Sequence, residues 1–258
     1  MDYDTLRVTE SDGICVITLN RPEVMNALNK QMRAELTHAL KDAARHARVM
    51  VLTGEGRAFC SGQDLGDGGN AAQIDLERTL REEYEPMLRA IYDAPVPVIA
   101  AVNGSAAGAG ANLALAADLV IASEQASFIQ AFTRIGLIPD AGGTWFLPRQ
   151  IGFARAMGAM LLADKISARQ AAEWGMIWEA VPEEHFAAVW QERAAALATG
   201  PTIAYRNIRR ALRASLSSTL DAQLALEAQL QAEAGKTRDF QEGVMAFLEK
   251  RPAQFEGR

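Results

Sequence analysis

The side chain in this sequence best suited to acid–base chemistry is Asp140, in the run G-L-I-P-D-A-G-G-T from Gly136 to Thr144. Pro139 restricts the backbone just before the carboxylate, and the glycines that follow permit a tight turn. A carboxylate held in such a corner can remove and return protons. A simpler interpretation is that Asp140 only caps a helix starting near Gly143, as aspartate often does.

Two upstream segments carry backbone features that stabilise a negatively charged oxygen. One is R-A-F-C-S-G-Q-D-L, Arg57 to Leu65, and the other is G-S-A-A-G-A-G-A-N-L, Gly104 to Leu113. The second segment turns a strand into a helix, whose first N–H groups are free to face an anion. A second N–H from the Ser61–Gly62 turn would complete an oxyanion hole if the two segments face each other.

Other kinds of chemistry fit the sequence less well. Ser61 lies outside a G-x-S-x-G nucleophile elbow, and an apolar packing role suits Cys60 better than a nucleophilic one. Leu113 stands where a dinucleotide-binding G-x-G-x-x-G run requires glycine. No His, Cys, Asp and Glu cluster has recognisable metal spacing, so we expect no metal site. Asp64, a second carboxylate, is expected to form hydrogen bonds within its own loop.

Composition narrows the class of protein. The chain has 258 residues, a formal net charge of −6 and 49% hydrophobic residues, which is typical of a globular protein and argues against nucleic acid as a partner. Its two cysteines predict reduced, buried thiols. The sequence offers no signal-peptide core and no membrane span, so we expect a soluble cytoplasmic protein without a membrane partner.

Short β-branched runs alternate with helical periodicity through the first two thirds of the chain, which predicts an α/β core. The predicted strands are Ile14–Leu19, Val49–Thr53, Val98–Val102 and Asp118–Ala122. Helices are predicted over Asn29–Ala47 and Ile74–Tyr92, and from Gly104 to Gly110 the chain turns into another helix. Helical periodicity dominates after Gly143, and the tail is predicted to contain a helix opened by Pro201 and helices over Leu220–Ala234 and Phe240–Lys250.

These segments, in this order, resemble the crotonase superfamily, also called the enoyl-CoA hydratase/isomerase family. The resemblance also includes N-R-P-E-V-M-N-A-L (Asn20 to Leu28), V-P-V-I-A-A-V-N-G (Val96 to Gly104) and A-F-L-E-K-R-P-A-Q-F (Ala246 to Phe255). Each motif alone is modestly specific, but together they cover nearly the whole chain. The resemblance implies a spiral of ββα units carrying the acyl-CoA site over residues 1–200. A helical trimerisation region would follow over residues 201–258.

The resemblance also implies roles for particular residues. The backbone N–H groups of Ser61 and Ala109 would hold the thioester oxygen of an acyl-CoA, with Asp140 as the catalytic acid/base. The implied substrate-binding residues are Ala27, Gln63, Asp64, Leu65, Asn112, Phe132, Phe247 and Lys250. Phe247 and Lys250 match tail positions that touch the CoA nucleotide, often from a neighbouring subunit, although a solvated helix-end charge explains Lys250 equally well. The family implies a homotrimer or hexamer, and no cofactor besides the coenzyme A of the substrate.

Two departures from the family pattern favour isomerisation over hydration. Family hydratases use two glutamates to activate water, and these positions fall at Asn112 and Phe132, neither of which is a base. A single carboxylate at Asp140 could remove a γ-proton as an enolate forms and return it to the α-carbon. Desolvation by Phe128, Phe132 and Trp145 would raise the pKa of Asp140.

Within the family, Gln130 to Arg149 and Glu173 to Trp178 resemble most closely the ring-expanding isomerases of bacterial phenylacetate degradation. That branch converts 1,2-epoxyphenylacetyl-CoA to oxepin-CoA and also shifts double bonds in acyl-CoAs. Two alternatives stay open. One is another crotonase reaction, such as hydration, hydrolysis or dehalogenation, and the other is a non-catalytic CoA-binding protein with the same fold.

Overall fold

The computed structural model describes residues 2–66 and 75–258. Its larger sheet has six strands in the order β1-β2-β3-β5-β7-β10. These are β1 (Leu6–Ser11), β2 (Ile14–Leu19), β3 (Val49–Gly54), β5 (Val98–Val102), β7 (Leu119–Ser123) and β10 (Glu179–Val181). β1 and β2 form an antiparallel hairpin, and every other pairing in this sheet is parallel. Val49–Leu52 of β3 and the whole of β5 are apolar and buried, as expected for a parallel sheet whose two faces are both covered by helices.

A second, smaller sheet has the order β4-β6-β8-β9. Its strands are β4 (Ala58–Cys60), β6 (Ser105–Ala107), β8 (Ser127–Ile129) and β9 (Ile166–Ser167). The chain therefore places β3 in the large sheet and β4 in the small one, then a helix, and repeats this with β5 and β6 and again with β7 and β8. This arrangement confirms the expected spiral of ββα units. It also brings the ends of β4 and β6, which carry the two glycine-containing turns, side by side.

Helices fill the space between and around the sheets. They are α1 (Lys30–Ala43), α2 (Leu76–Thr79), α3 (Glu85–Tyr92), α4 (Ala109–Leu115), α5 (Gly143–Ile151), α6 (Phe153–Leu162), α7 (Ala168–Glu173) and α8 (Glu183–Ala198). The tail contributes α9 (Thr202–Ser215), α10 (Leu220–Ala234) and α11 (Arg238–Glu249). Asn29 caps α1 by accepting a hydrogen bond from the Met32 N–H.

The helix predicted from Ile74 is one continuous helical segment with a wider turn inside it. Ile74 lies outside the described residues, and Asp75 caps the described start of the segment. A π-helical turn, Leu80–Tyr84, joins α2 to α3. The Glu85 N–H donates to the Leu80 carbonyl oxygen, five residues back, as a π turn requires.

A buried arginine of the tail, Arg209, makes several hydrogen bonds to the core. The guanidinium of Arg209 on α9 contacts the Asp118 carboxylate at 2.7 Å. It also donates to the carbonyl oxygens of Ile91, near the end of α3, at 3.3 Å and of Val96, between α3 and β5, at 2.9 Å. A guanidinium has enough donors to satisfy several acceptors at once. The described helices include none that is both long and apolar enough to cross a membrane.

Candidate active site

Asp140 lies in a tight turn that the following glycines make possible. Ala141 and Gly142 both have positive φ, 48° and 80°, and the Gly143 N–H donates to the Asp140 carbonyl oxygen at 2.8 Å. These are the features of a type I′ turn, which favours glycine because both central residues are left-handed. Helix α5 begins at Gly143 without a side-chain cap. The interpretation of Asp140 as a helix cap is therefore wrong.

A buried amide network holds this turn from behind. Asn112 on α4 is fully buried, and its Nδ2 donates to the Asp140 carbonyl oxygen at 2.8 Å. Its Oδ1 accepts from Gln130 Nε2, also at 2.8 Å. A Cβ on Gly143 would lie 2.4 Å from Asn112 Nδ2, so only glycine fits there. Asn112, predicted to bind substrate, has its amide engaged by the protein on both sides and acts on the position of Asp140.

The Asp140 carboxyl group faces a cavity of about 700 Å³. The walls come mainly from the π turn, α3 and the Asp140 loop, and they are largely apolar. They include Leu80, Tyr84, Leu88, Tyr92, Leu137, Trp145 and Phe146. Asp140 Oδ1 is shut off from solvent and has no hydrogen-bond partner within the described part of the chain. Burial raises the pKa of Asp140 from its ordinary value of 3.8 to about 6, against a smaller opposing effect of its own backbone N–H.

Of the three aromatic residues expected to desolvate Asp140, only Trp145 lines the cavity. Phe128 is fully buried on β8 and belongs to the main core. Phe132 is also buried, and its ring would meet a Cβ on Gly108 at 3.7 Å. Phe132 therefore packs beside the turn that begins α4, and neither phenylalanine is among the residues that line the Asp140 cavity.

The two glycine-containing turns do meet, as the oxyanion-hole prediction requires. Gly62 has a φ of 95°, and a Cβ on it would lie 2.8 Å from the Ala107 carbonyl oxygen and 3.4 Å from the Ala109 nitrogen. A side chain there would separate the two turns. Ala109 is the first residue of α4, where the N–H has no carbonyl partner in the preceding turn. Its N–H is therefore available to a ligand.

The second N–H of this pair cannot come from Ser61. The Ser61 N–H donates to the Met25 carbonyl oxygen at 3.0 Å, so it is occupied within the protein. Gln63 forms an isolated parallel bridge with Leu28, in which the Leu28 N–H bonds to Gly62 and the Leu28 carbonyl accepts from Asp64. In such a bridge the N–H of the central residue, here Gln63, points to the opposite side of its strand. The structure thus replaces the Ser61 N–H with the Gln63 N–H as the candidate donor. The sequence could not distinguish the two, because it does not show which side of the strand each N–H faces.

The other predicted binding residues lie either in and around the Asp64 loop or on the C-terminal tail. Asp64 stabilises its own loop, as predicted, by accepting from the Gly66 N–H at 3.0 Å and pairing with Arg21 at 2.8 Å. Ala27 is buried and Leu65 is exposed beside this loop. Phe247, which is 82% exposed, and Lys250, which ends α11 with a φ of 54°, lie on the tail and do not line the Asp140 cavity. Among residues 2–66 and 75–258, no group of His, Cys, Asp and Glu side chains could hold a metal ion.

Comparison with known proteins decides the family. Residues 9–258 match the family model described as enoyl-CoA hydratase/isomerase. The chain belongs to the enoyl-CoA hydratase/isomerase family. It is thus an enzyme of a family that acts on CoA thioesters, and its spiral of ββα units is the crotonase fold.

Individual relatives within the enoyl-CoA hydratase/isomerase family carry different activities in their names. The chain is 64% identical over all of both chains to a probable enoyl-CoA hydratase of Rhodobacter capsulatus. It is 49% identical to 1,2-epoxyphenylacetyl-CoA isomerase of Escherichia coli, over 95% of this chain and 96% of the relative. The crystal structure of an enoyl-CoA hydratase from Bacillus anthracis superposes with a TM-score of 0.91 at 34% identity, covering 99% of this chain and 100% of that one.

Proposed function

We propose that this enzyme is an acyl-CoA isomerase in which Asp140 moves a proton between two carbon atoms of the acyl group. The observation that carries the proposal is one carboxylate, with Oδ1 shut off from solvent, in a largely apolar cavity. A pKa of about 6 leaves Asp140 ionised at neutral pH, yet basic enough to accept and return a proton. Among residues 2–66 and 75–258, the other carboxylate that lines the cavity is Glu85, which is exposed.

In this proposal the backbone N–H groups of Gln63 and Ala109 hold the thioester oxygen, in place of the pair first predicted. With a 3-enoyl-CoA, the Asp140 carboxylate removes a proton from the α-carbon, and the negative charge that develops on the thioester oxygen is stabilised by the two N–H groups. The double bond moves toward the thioester, and the same carboxyl group gives the proton to the γ-carbon. The exchange from the γ- to the α-carbon uses the same groups in reverse.

Hydration of a 2-enoyl-CoA is the alternative, and the R. capsulatus relative supports it by name. Against it stand the residues at the two positions where family hydratases carry glutamate. Asn112 has both ends of its amide bonded within the protein, and Phe132 has no polar group. Without a second carboxylate, the activation of water would depend on Asp140 alone. The amide network and the apolar walls therefore favour isomerisation.

The name of the E. coli relative supports a more specific proposal for the acyl group. We infer that the enzyme converts 1,2-epoxyphenylacetyl-CoA to oxepin-CoA in phenylacetate catabolism, and also shifts double bonds in 3-enoyl-CoA substrates. An aromatic cluster at the cavity wall suits a ring-bearing acyl group. Trp145 packs edge-on against Tyr92 and Phe146, with ring centroids 5.7 Å and 5.1 Å apart.

The proposal extends to the rest of the ligand and to assembly. Ala27, Gln63, Asp64 and Leu65 would border the acyl and CoA groups beside the oxyanion pair. We infer a cytoplasmic homotrimer or hexamer, in which Phe247 and Lys250 reach the CoA of a neighbouring subunit. The apolar surface of α11 supports this, since Phe240, Phe247 and Leu248 are each more than half exposed in one chain.

Product analysis with two substrates separates the candidate functions. The parent protein and Asp140→Asn are each given a 3-enoyl-CoA and a 2-enoyl-CoA, and binding of a saturated acyl-CoA is measured alongside. The proposal predicts a double-bond shift in the 3-enoyl substrate that disappears in Asp140→Asn, while acyl-CoA binding is retained. Efficient hydration of the 2-enoyl substrate that survives the substitution would contradict it. Binding without any turnover would instead indicate a non-catalytic CoA-binding protein.

A further inference from the structure

Tyr84 is a buried polar residue to which the proposed mechanism assigns no role. It lines the same cavity as Asp140, yet the residue is only 1% exposed. Its hydroxyl oxygen has no hydrogen-bond partner within residues 2–66 and 75–258. Leaving a buried hydroxyl unpaired is unfavourable, so such a group in a native protein calls for an explanation.

The local backbone places Tyr84 at an unusual position. It is the last residue of the π turn Leu80–Tyr84, in the middle of an otherwise α-helical segment. A π turn inserts an extra residue and changes the faces on which neighbouring side chains fall, and such turns are frequent at functional sites. The ring is held from behind by Arg33, whose guanidinium carbon lies 5.1 Å from the ring centroid. Arg33 Nε and Nη2 donate to the Glu83 carboxylate, and Arg33 Nη1 donates to the Leu28 carbonyl oxygen.

The Asp140 carboxylate offers an oxygen that could accept a hydrogen bond from the Tyr84 hydroxyl. Asp140 Oδ1 is likewise buried without a partner within the same ranges. One atom is a donor, the other is an acceptor when ionised, and both residues line one cavity. Burial raises the pKa of Tyr84, and the charge of Arg33 opposes that change. Asp140 and Cys60 raise the pKa further, and the side-chain interaction of Arg33 with the hydroxyl lowers it. The hydroxyl therefore lies within electrostatic reach of the catalytic carboxylate while remaining a neutral donor.

We propose that Tyr84 is a positioning residue, whose hydroxyl donates a hydrogen bond to Asp140 Oδ1 when an acyl-CoA is bound. This inference rests on the proposed function of Asp140. Hydrogen bonds of catalytic groups are often long or misaligned without substrate and shorten in the complex. The bond holds one carboxylate oxygen, so that Oδ2 alone faces the reacting carbons. It also stabilises the ionised carboxylate, which is the form that removes a proton.

Among the described residues that line the cavity, few other charged groups can influence Asp140. Arg33 lies behind the Tyr84 ring and pairs with Glu83 at 2.7 Å. On the π turn and α3, the cavity-lining charged groups are Arg81, Glu85 and Arg89, all of which are exposed at the rim. From β4, Cys60 is fully buried, and burial raises the pKa of its thiol to about 12, so it stays neutral. Tyr84 is thus the neutral donor best placed to act on Asp140.

The test compares the pH dependence of kcat for the parent, Tyr84→Phe and Tyr3→Phe with a 3-enoyl-CoA. Loss of a hydrogen bond to the ionised carboxylate should move the acid limb of kcat upward by about one pH unit in Tyr84→Phe, which corresponds to about a tenfold lower kcat on that limb. KM should change by less than about threefold. Tyr3 is remote from the cavity, with its hydroxyl bonded to His38 on the surface at 2.8 Å, so Tyr3→Phe should keep the parent profile.

The melting temperature and a ¹³C titration of Asp140 distinguish a loss of folding from a change in the Asp140 pKa. Tyr84→Phe removes only a hydroxyl without a protein partner, so its melting temperature should equal or exceed that of the parent. With butanoyl-CoA bound, the carboxyl ¹³C resonance that is absent from Asp140→Asn should titrate about one pH unit higher in Tyr84→Phe, a readout that needs no turnover. An acid limb and a ¹³C titration unchanged by the substitution would overturn the role of Tyr84, whether or not activity fell. Absence of isomerisation in the parent would instead overturn the proposed function.

Discussion

The Asp140 turn and the Gly62–Gln63 turn are the two halves of the proposed site, and they would contribute to it by different means. The Asp140 turn presents a side chain, and the buried Asn112 amide and a type I′ turn hold it in place. The Gln63 turn presents a backbone N–H, whose direction is set by the bridge to Leu28 and by close packing at Gly62. The first half should therefore be sensitive to the chemical identity of side chains. The second should be sensitive only to changes that move the backbone.

The largest effect is expected at the side chain of the first half. Asp140→Asn removes the proposed acid/base but keeps the shape of the residue, so kcat for a 3-enoyl-CoA should fall by about 10³-fold or more. Binding of a saturated acyl-CoA should change little, since the N–H groups remain. Steady-state kinetics and calorimetry measure the two quantities. A loss of less than tenfold in kcat would show that another group carries the proton.

A change of backbone shape should have the next largest effect. Gly62→Ala forces a Cβ to within 2.8 Å of the Ala107 carbonyl oxygen at a φ of 95°, so the two turns must move apart. Loss of one oxyanion donor typically lowers kcat by about 10²–10³-fold, and we expect a value in this range. Gly175→Ala is the matched control, because it has a similar φ of 75° but its nearest neighbour lies at 3.7 Å. Equal losses in the two variants would mean that backbone strain alone explains the effect.

Removing the support behind Asp140 should have a smaller effect. In Asn112→Leu the Asp140 carbonyl oxygen loses a donor and Gln130 Nε2 loses its acceptor, so the turn shifts. Misplacing a catalytic group by about 1 Å can cost about 10²-fold, and we expect kcat to fall by about 10- to 100-fold. Asn207→Leu is a control for stability, since Asn207 is also buried and donates to the Leu230 carbonyl oxygen in the tail. It should lower the melting temperature similarly while keeping kcat.

The pKa of Asp140 predicts a dependence on pH. In the proposed mechanism the ionised carboxylate is the base, so kcat/KM should fall about tenfold per pH unit below about 6. The raised pKa means that ionisation of Asp140 destabilises the fold. Asp140→Asn should thus be more stable than the parent above pH 6, by up to about 3 kcal/mol, and the difference should vanish below pH 3.8. Denaturation at several pH values checks this, and a difference independent of pH would contradict the assigned pKa.

The smallest effect is expected at the side chain of Ser61. Its hydroxyl lies 3.3 Å from the Val24 carbonyl oxygen on an exposed surface, and its N–H bonds to Met25 in any case. Ser61→Ala should therefore keep kcat and KM within about twofold of the parent values, since only an exposed hydrogen bond is lost. Steady-state kinetics with a 3-enoyl-CoA measure both. A loss beyond tenfold would return Ser61 to the catalytic machinery.

The sequence predicted the buried strands of the large sheet well, because their runs of β-branched residues are typical of parallel strands. Val98–Val102 was predicted with its observed bounds, and β3 with one residue fewer. The strands of the small sheet were not predicted. β4 and β6 have only three residues each, which is too short for an alternation of polar and apolar residues to be recognised. Their existence depends on pairing with distant segments.

Within the site, what could be predicted were the side chains whose chemistry is unusual for their surroundings. Asp140 stood out because it follows a proline and precedes two glycines. The N–H of Gln63 and the amide network of Asn112 and Gln130 could not be predicted, since they depend on strand register and on contacts between distant elements. The π turn that carries Tyr84 was hidden for a related reason, because one extra residue hardly disturbs helical periodicity.

The central claim is that a single side chain, Asp140, both removes and returns the proton. The most direct test is a single turnover of a 3-enoyl-CoA deuterated at the α-carbon, in ordinary water, with mass spectrometry of the product. Part of the deuterium should appear at the γ-carbon, because the cavity shields the carboxyl group that carries it. A product whose added γ-hydrogen comes only from solvent would contradict direct transfer by one shielded carboxyl group.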